Sequence, residues 1–263
     1  MGLNDSTLRA HGVTFTYPRT STAALTDITV ELPAGQALAV VGESGSGKST
    51  LGRLLSGQTA PDEGSVFIER ADGVALASGH LPFRRAVQVV FQDPSTSFSP
   101  KTSVGAVLHR PLRLIGVRSR SERDARVTDL LARVSLPSDP AFLRQQAASL
   151  SGGQKQRLAI ARALTVDPEF LIADEAISAL DVTVAARLID VFRQLISDLG
   201  VGVLFITHDL AVARSLCGDV LVMRNGEVVE QGSTATVMFR PQHPYTKELI
   251  AAHPVPEFSS DSH

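Results

Sequence analysis

The 263-residue chain is 43% hydrophobic and has a formal net charge of −2, so it holds ample material for a packed core and no overall basic field for a nucleic-acid backbone. Its one cysteine, Cys217, excludes an internal disulfide or a cysteine metal site; it reads as a small buried residue in a reducing compartment. The first residues lack the basic start and apolar run of a signal peptide, and the longest apolar runs, 37–41 and 201–206, are too short to span a bilayer, so any membrane role is expected to go through a partner.

Residues 25–41 alternate apolar and polar through Ile28, Val30 and Leu32, turn at Pro33-Ala34-Gly35 and become a continuous apolar run. That pattern predicts a half-exposed strand, a tight turn and a buried strand. The buried strand leads into GESGSGKST at 42–50, where a helical pattern begins. From about Phe98 to Ala148 the apolar spacing is helical, and arginines at 110, 113, 118, 120, 123 and 126 are interleaved with Glu122, Asp124 and Asp129. We read this as a helical insert whose charges form a solvated face. SLSGGQKQR at 149–157 then opens another helix. The short apolar runs Phe170–Ala173, Val201–Ile206 and Val220–Met223 are separated by helical patterns such as Val182–Leu199, which implies an α/β fold with a parallel sheet covered on both faces. Asn225-Gly226, between strand-like runs, predicts a two-residue hairpin. From residue 241 a short docking segment is expected, followed by a frayed tail rich in proline and serine.

The stretch from Gly42 to Ser49 fits G-x-x-x-x-G-K-[ST] and stands between a buried strand and a helix, where a phosphate loop must stand. Its glycines let backbone N–H groups turn inward around phosphate, Lys48 reaches the terminal phosphates, and the Ser49 hydroxyl is suited to Mg²⁺. A nucleoside triphosphate is the predicted ligand. The strand at 170–173 ends in Asp174-Glu175, two acids with separate tasks beside such a loop. Asp174 would hold Mg²⁺ through its water shell, and Glu175 would polarise the attacking water. His208 would emerge at the same sheet edge and act at the terminal phosphate. Farther along, Ser151 would cap a second helix and face a γ-phosphate, while Gly152 and Gly153, read as exposed, would let the backbone approach it.

GESGSGKST, VVFQDP at 89–94, LSGGQ at 150–154, FLIADEA at 170–176, SALD at 178–181 and TH at 207–208 occur in the order and approximate spacing of an ATP-binding-cassette (ABC) ATPase. The chain resembles that family over nearly its whole length. The resemblance implies a P-loop NTPase (RecA-like) core with a parallel sheet, an N-terminal antiparallel β subdomain and a helical subdomain inserted at about 95–160. The cassette would span 1–240, leaving 241–263 as docking segment and tail. It further implies ATP and Mg²⁺, with two copies associated head to tail. The phosphate loop of one copy (Gly42, Ser44, Gly45, Gly47, Lys48, Ser49, Thr50) and the LSGGQ of the other (Ser151, Gly152, Gly153, Gln154) would hold each ATP. Tyr17, with Phe15 nearby, is similar to the aromatic residue that stacks on adenine. Gln92 resembles the glutamine that touches Mg²⁺ and the attacking water and joins core to insert. Asp181 resembles the aspartate that crosses the dimer interface, and His208 the residue that senses the γ-phosphate. Ala176-Ile177 departs from the proline that importers often carry after the glutamate.

STSFSP at 95–100 and Pro241-Gln242-His243-Pro244-Tyr245-Thr246 are similar to the subfamily serving dipeptide, oligopeptide and nickel importers. Lacking the cysteine-rich C-terminal region that members of one branch add, the chain resembles the shorter ATPase subunit, and the resemblance implies pairing with a second, different ATPase chain, as is usual in that subfamily. The resemblance therefore implies a peripheral subunit on the cytoplasmic face of the cell membrane, acting with transmembrane permease subunits and, indirectly, an extracytoplasmic solute-binding protein. Whether the solute is a peptide, nickel or another compound stays open, as does homodimer against heterodimer, and a soluble non-transport ABC ATPase is the alternative. His243 has no neighbouring ligands in sequence and reads as structural.

Overall fold

A computed structural model describes residues 5–94, 98, 99, 101–177 and 181–252. The expected Ser95–Pro100 motif falls largely outside the described residues, as do residues 178–180 of SALD and the tail from 253. Strands β1 (Ser6–Phe15) and β2 (Leu25–Pro33) pair antiparallel, and β3 (Ala37–Val41) leaves them for a second sheet. β4 (Glu63–Arg70) and β5 (Ala75–Ala77) return to the first, giving the order β2-β1-β4-β5. This is the expected antiparallel N-terminal unit. β1 hides its period because a register shift around Gly12, at φ 57°, interrupts the alternation between Ala10 and Val13.

The second sheet adds β6 (Val87–Phe91), β7 (Phe170–Asp174), β8 (Gly202–Ile206), β9 (Asp219–Arg224) and β10 (Glu227–Ser233) in the order β10-β9-β3-β8-β7-β6. All pairs are parallel except β9 with β10. β3 and β8 are buried at every position, as strands covered on both faces must be. The pleat sends Val40 into one apolar cluster, with Leu51, Leu54, Ile172 and Leu204, and its neighbours Ala39 and Val41 into another, with Leu171, Ala173 and Phe205. One cluster joins the sheet to the antiparallel unit and α1 (Lys48–Leu55); the other joins it to the later helices. The β9–β10 turn is the predicted hairpin, with Asn225 at φ 51° and Gly226 at φ 82°.

α2 (Leu81–Ala86) precedes β6, and the insert follows it as α3 (Val104–Leu114), α4 (Arg120–Arg133) and α5 (Pro140–Arg144), before a 3-10 turn and α6 (Gly152–Leu164). Leu108, Leu112, Leu131 and Leu158 close the insert's own interior. α7 (Val182–Leu199) has the predicted bounds: Asp181 accepts the Val184 N–H at its start, and Gly200, at φ 65°, ends it. α8 (Leu210–Leu216), α9 (Thr234–Phe239) and α10 (Pro244–Ala252) complete the described chain. In the segment from 241, Tyr245 and Leu249 of α10 are buried. Among the described residues no helix is long and apolar enough to cross a membrane. Cys217 is buried and its thiol is pushed up to about 12, so it is inert.

Candidate functional site

β3 delivers the loop 42–47 to the start of α1. A Cβ on Gly42 would lie 2.2 Å from the Met223 carbonyl oxygen, so only glycine fits there. Gly47, at φ 105°, caps α1 and brings no side chain over its first turn, which leaves those N–H groups available to a phosphate. Lys48 is 6% exposed, and its Nζ donates to the carbonyls of Gly42 (2.8 Å) and Glu43 (2.7 Å). Desolvation lowers its pKa, against the opposing pull of Glu175, Asp174 and Glu43. The Gly226 N–H donates to the Ser46 carbonyl at 3.0 Å, bracing the loop from the β9–β10 hairpin.

The sheet edge supplies the acids. Parallel pairing puts Phe91 opposite Asp174 and Asp174 opposite Ile206, so Gln92, Glu175 and Thr207 leave three adjacent strands at one level. Ser49 Oγ donates to Asp174 Oδ1 at 3.1 Å. Burial pushes the Asp174 carboxyl above its usual range, and the Ser49 bond offsets part of that rise. Glu175 sits at φ 49°, a conformation rare for a side-chain-bearing residue, and its N–H donates to the Ile206 carbonyl at 2.8 Å. Its Oε1 lies 3.5 Å from Nδ1 of the exposed His208. Gln92 is exposed beside them, and Gln156 of α6 donates to the Phe91 carbonyl just before it, at 3.1 Å.

An open cleft of about 530 Å³ is walled by Tyr17, Ser44, Gly45, Gly47, Lys48, Ser49, Thr50 and Glu175, with residues 22–24, Asn225 and Gly226 on the far side. Tyr17 stands edge-on to Phe15 with ring centroids 5.0 Å apart. Its hydroxyl is 2.9 Å from Thr50 Oγ1 and accepts from Arg53 at 3.3 Å. Residues 22–24 and the hairpin turn were not legible as walls, since their part arises only when the hairpin folds back on the loop. A different cleft, about 560 Å³, lies between β6, α3 and α6. It contains no phosphate-loop residue, and its walls include Arg84, Phe91, Pro111, Leu114 and Arg162.

The second helix start is built differently. Ser151 Oγ accepts the Gln154 N–H at 3.3 Å, and Gln154 Oε1 accepts the Ser151 N–H at 3.0 Å, a complete capping box. Gly152 is exposed as expected. Gly153 is not: it is buried, and a Cβ there would lie 2.4 Å from Val184 Cγ1. The reading of two exposed glycines is thus corrected, because α7 packs against the start of α6 at that point. Neither residues 151–154 nor Asp181 line the cleft at the phosphate loop.

The sequence profile described as ABC transporter matches residues 25–178. A Brucella ovis protein named, provisionally, as a peptide import ATP-binding protein is 40% identical over 234 residues, 89% of this chain and 73% of its own. A Sinorhizobium fredii protein named, again provisionally, as a peptide ABC transporter ATP-binding protein is 40% identical over 265 residues, 97% of this chain and 74% of its own. Among solved structures, the dimeric, post-hydrolysis ATP-binding cassette MJ0796 bound to ADP and Pi superposes with a TM-score of 0.74 at 28% identity, covering 86% of this chain and 98% of that one. The cbiO1 protein of Clostridium perfringens, part of the ABC transporter complex cbiONQ, gives 0.77 at 26% identity and covers 93% of each chain. The loop at 42–50, the Asp174-Glu175 edge and LSGGQ therefore stand in a known frame: the chain belongs to the ABC transporter family, as one of its ATPase cassettes.

Proposed function

We propose that this chain is the ATP-hydrolysing subunit of a peptide importer, working as one half of a head-to-tail pair on the cytoplasmic face of the membrane. The observation that carries the reading is the division of the chemistry. The phosphate loop, Asp174, Glu175 and His208 meet at one edge of the sheet, whereas the Ser151-Gly152 helix start lies off the cleft that the phosphate loop and Glu175 line. A second cassette, of the same or a paralogous chain, would bring its own Ser151, Gly152 and Gln154 over the ATP, with Asp181 nearby. Peptide is favoured as cargo because the 40%-identical relatives carry that name.

In this mechanism the loop N–H groups and Lys48 bind the β- and γ-phosphates, and Tyr17 takes the adenine. Glu175 orients and accepts a proton from the attacking water, and His208, 3.5 Å away, holds the glutamate and the γ-phosphate in register. Ser49, Asp174 and Gln92 would hold Mg²⁺; all three offer oxygen, and the 3.1 Å Ser49–Asp174 contact brings two of them together as a hard cation requires. Bound there, the ion neutralises phosphate charge. Closure and reopening would pass from Gln92 through the Gln156–Phe91 bond to the helical insert. The 560 Å³ groove beside Phe91 and Leu114 would receive a cytoplasmic helix of the permease.

The test is the molar mass of Glu175→Gln protein by light scattering, with and without ATP-Mg²⁺. The substitution should reduce hydrolysis at least about 100-fold while sparing ATP binding, and ATP should produce a dimer. A Glu175→Gln chain that hydrolyses at the wild-type rate would exclude Glu175 as the base. A chain that binds ATP yet stays monomeric, alone and with its paralogous ATPase chain, would overturn the paired arrangement.

A further inference from the structure

The last described helix touches the phosphate loop. Tyr245 of α10 is 2% exposed, and its hydroxyl accepts a 2.9 Å hydrogen bond from the backbone N–H of Glu43, 202 positions away in the chain. The Arg224 guanidinium lies 4.7 Å from the centroid of its ring. α10 is itself tethered: the Glu230 carboxylate accepts the N–H groups of Gln242 (2.8 Å) and His243 (3.0 Å), and His243 Nδ1 accepts the Tyr245 N–H (3.2 Å). Segment 241–246 is thus a strap from β10 to the start of the loop.

The strap matters because of what else holds the loop. Residues 43–45 are exposed, and the Glu43 carbonyl is held by Lys48 Nζ. That amine has three N–H donors, two of them on the Gly42 and Glu43 carbonyls, so a phosphate bound at the loop would compete with those carbonyls for it. The bonds from Tyr245 to Glu43 and from Gly226 to Ser46 do not involve Lys48 and place no demand on it. Glu43 directly precedes Ser44 and Gly45, the first loop residues that line the cleft, so the tilt of its peptide sets the direction of the N–H groups that follow.

We propose that Tyr245 is a positioning residue of the nucleotide site: its hydroxyl holds the start of the phosphate loop in the shape that receives ATP, which makes nucleotide affinity depend on the docking of α10. The proposal rests on the assignment of 42–50 as the phosphate loop. Phenylalanine at 245 keeps the ring, its burial and the Arg224 contact, and removes only the acceptor.

The experiment compares full-length wild type, Tyr245→Phe, Tyr245→Leu and Lys48→Ala at a temperature where all are folded. ATP-Mg²⁺ affinity is measured by calorimetry, steady-state ATPase kinetics are recorded, and amide exchange is followed in the peptide covering 42–48. Tyr245→Phe should bind ATP roughly 5- to 10-fold more weakly, raise KM by a similar factor with kcat within about twofold, and speed exchange in 42–48 without speeding it in β7 or β8. Tyr245→Leu should weaken ATP binding further and also lower the melting temperature of the nucleotide-free chain. If Tyr245→Phe leaves affinity and loop exchange at wild-type values while Lys48→Ala has lost binding, Tyr245 is packing alone and the proposal is wrong. If Lys48→Ala also keeps wild-type affinity, the phosphate-loop assignment itself fails.

Discussion

Two helices in this protein begin at glycines and face opposite ways in the energetic sense. At α1 the cap is Gly47 in a left-handed conformation, no side chain bonds to the helix N-terminus, and a buried lysine waits beside it. At α6 the N-terminus is already served, Ser151 and Gln154 exchanging two hydrogen bonds. An open N-terminus leaves its N–H groups to water or a ligand, whereas a capped one has fewer free donors to offer. Under the proposed function, the first start would hold an anion by itself, and the second would contribute to a site only when another surface brings the anion to it.

The sharpest way to break that comparison is to disable the first start. Lys48→Ala removes a charged donor to phosphate, and ATP affinity of the isolated chain should fall about 100-fold, equivalent to roughly 3 kcal/mol, by calorimetry. Retained affinity would show that the open N-terminus is not where ATP sits. At the second start, Gly153→Ala drives a methyl group into Val184, and thermal unfolding should show a loss of about 2 kcal/mol. Adding Val184→Ala should recover most of it; no recovery would mean that Gly153 is small for another reason. Ser151→Ala tests the cap with a gentler change. It should lower stability by about 1 kcal/mol, leave ATP binding to the isolated chain unchanged and slow turnover of the paired form roughly 10-fold. Equal loss of binding in the isolated chain would place Ser151 in the chain's own site.

The smallest stability effect concerns Asp174. Desolvation holds its carboxyl above the usual range, so between the ordinary value and the raised one the folded chain keeps a proton that the unfolded chain releases. Stability therefore falls as pH rises through that window. Asp174→Asn should raise the melting temperature of the nucleotide-free chain by about 2 °C at pH 7, with the gain fading once the pH drops below the ordinary carboxylate value, while Mg²⁺-dependent hydrolysis is lost. A lower melting temperature at pH 7 would show that the Ser49 bond outweighs the burial of the charge.

Much of the fold was legible because its signals are local. The buried strands β3, β7, β8 and β9 are continuous apolar runs, α7 has its amphipathic period between an aspartate cap and a glycine stop, and Asn225-Gly226 turns a hairpin. β1 was hidden by the shift at Gly12, which breaks period two where the pattern is needed. The positions of the candidate site residues were legible to the same extent. Lys48, Ser49, Asp174, Glu175 and His208 sit at ends of elements that the pattern locates, and parallel pairing brings the strand ends together.

By itself the sequence determined the buried strands β3, β7, β8 and β9, the bounds of α7, the phosphate-loop motif, the acids at the strand ends and the Ser151 cap of α6, because each depends on residues within a few positions of one another. Only the tertiary structure decided that Gly153 serves packing against Val184, that the Asn225-Gly226 turn forms a wall of the cleft, and that Tyr245 reaches back to Glu43. Those contacts join residues about 30 to 200 positions apart. Hydrophobic period and residue spacing say which face of an element is apolar and nothing about which distant backbone group it will meet.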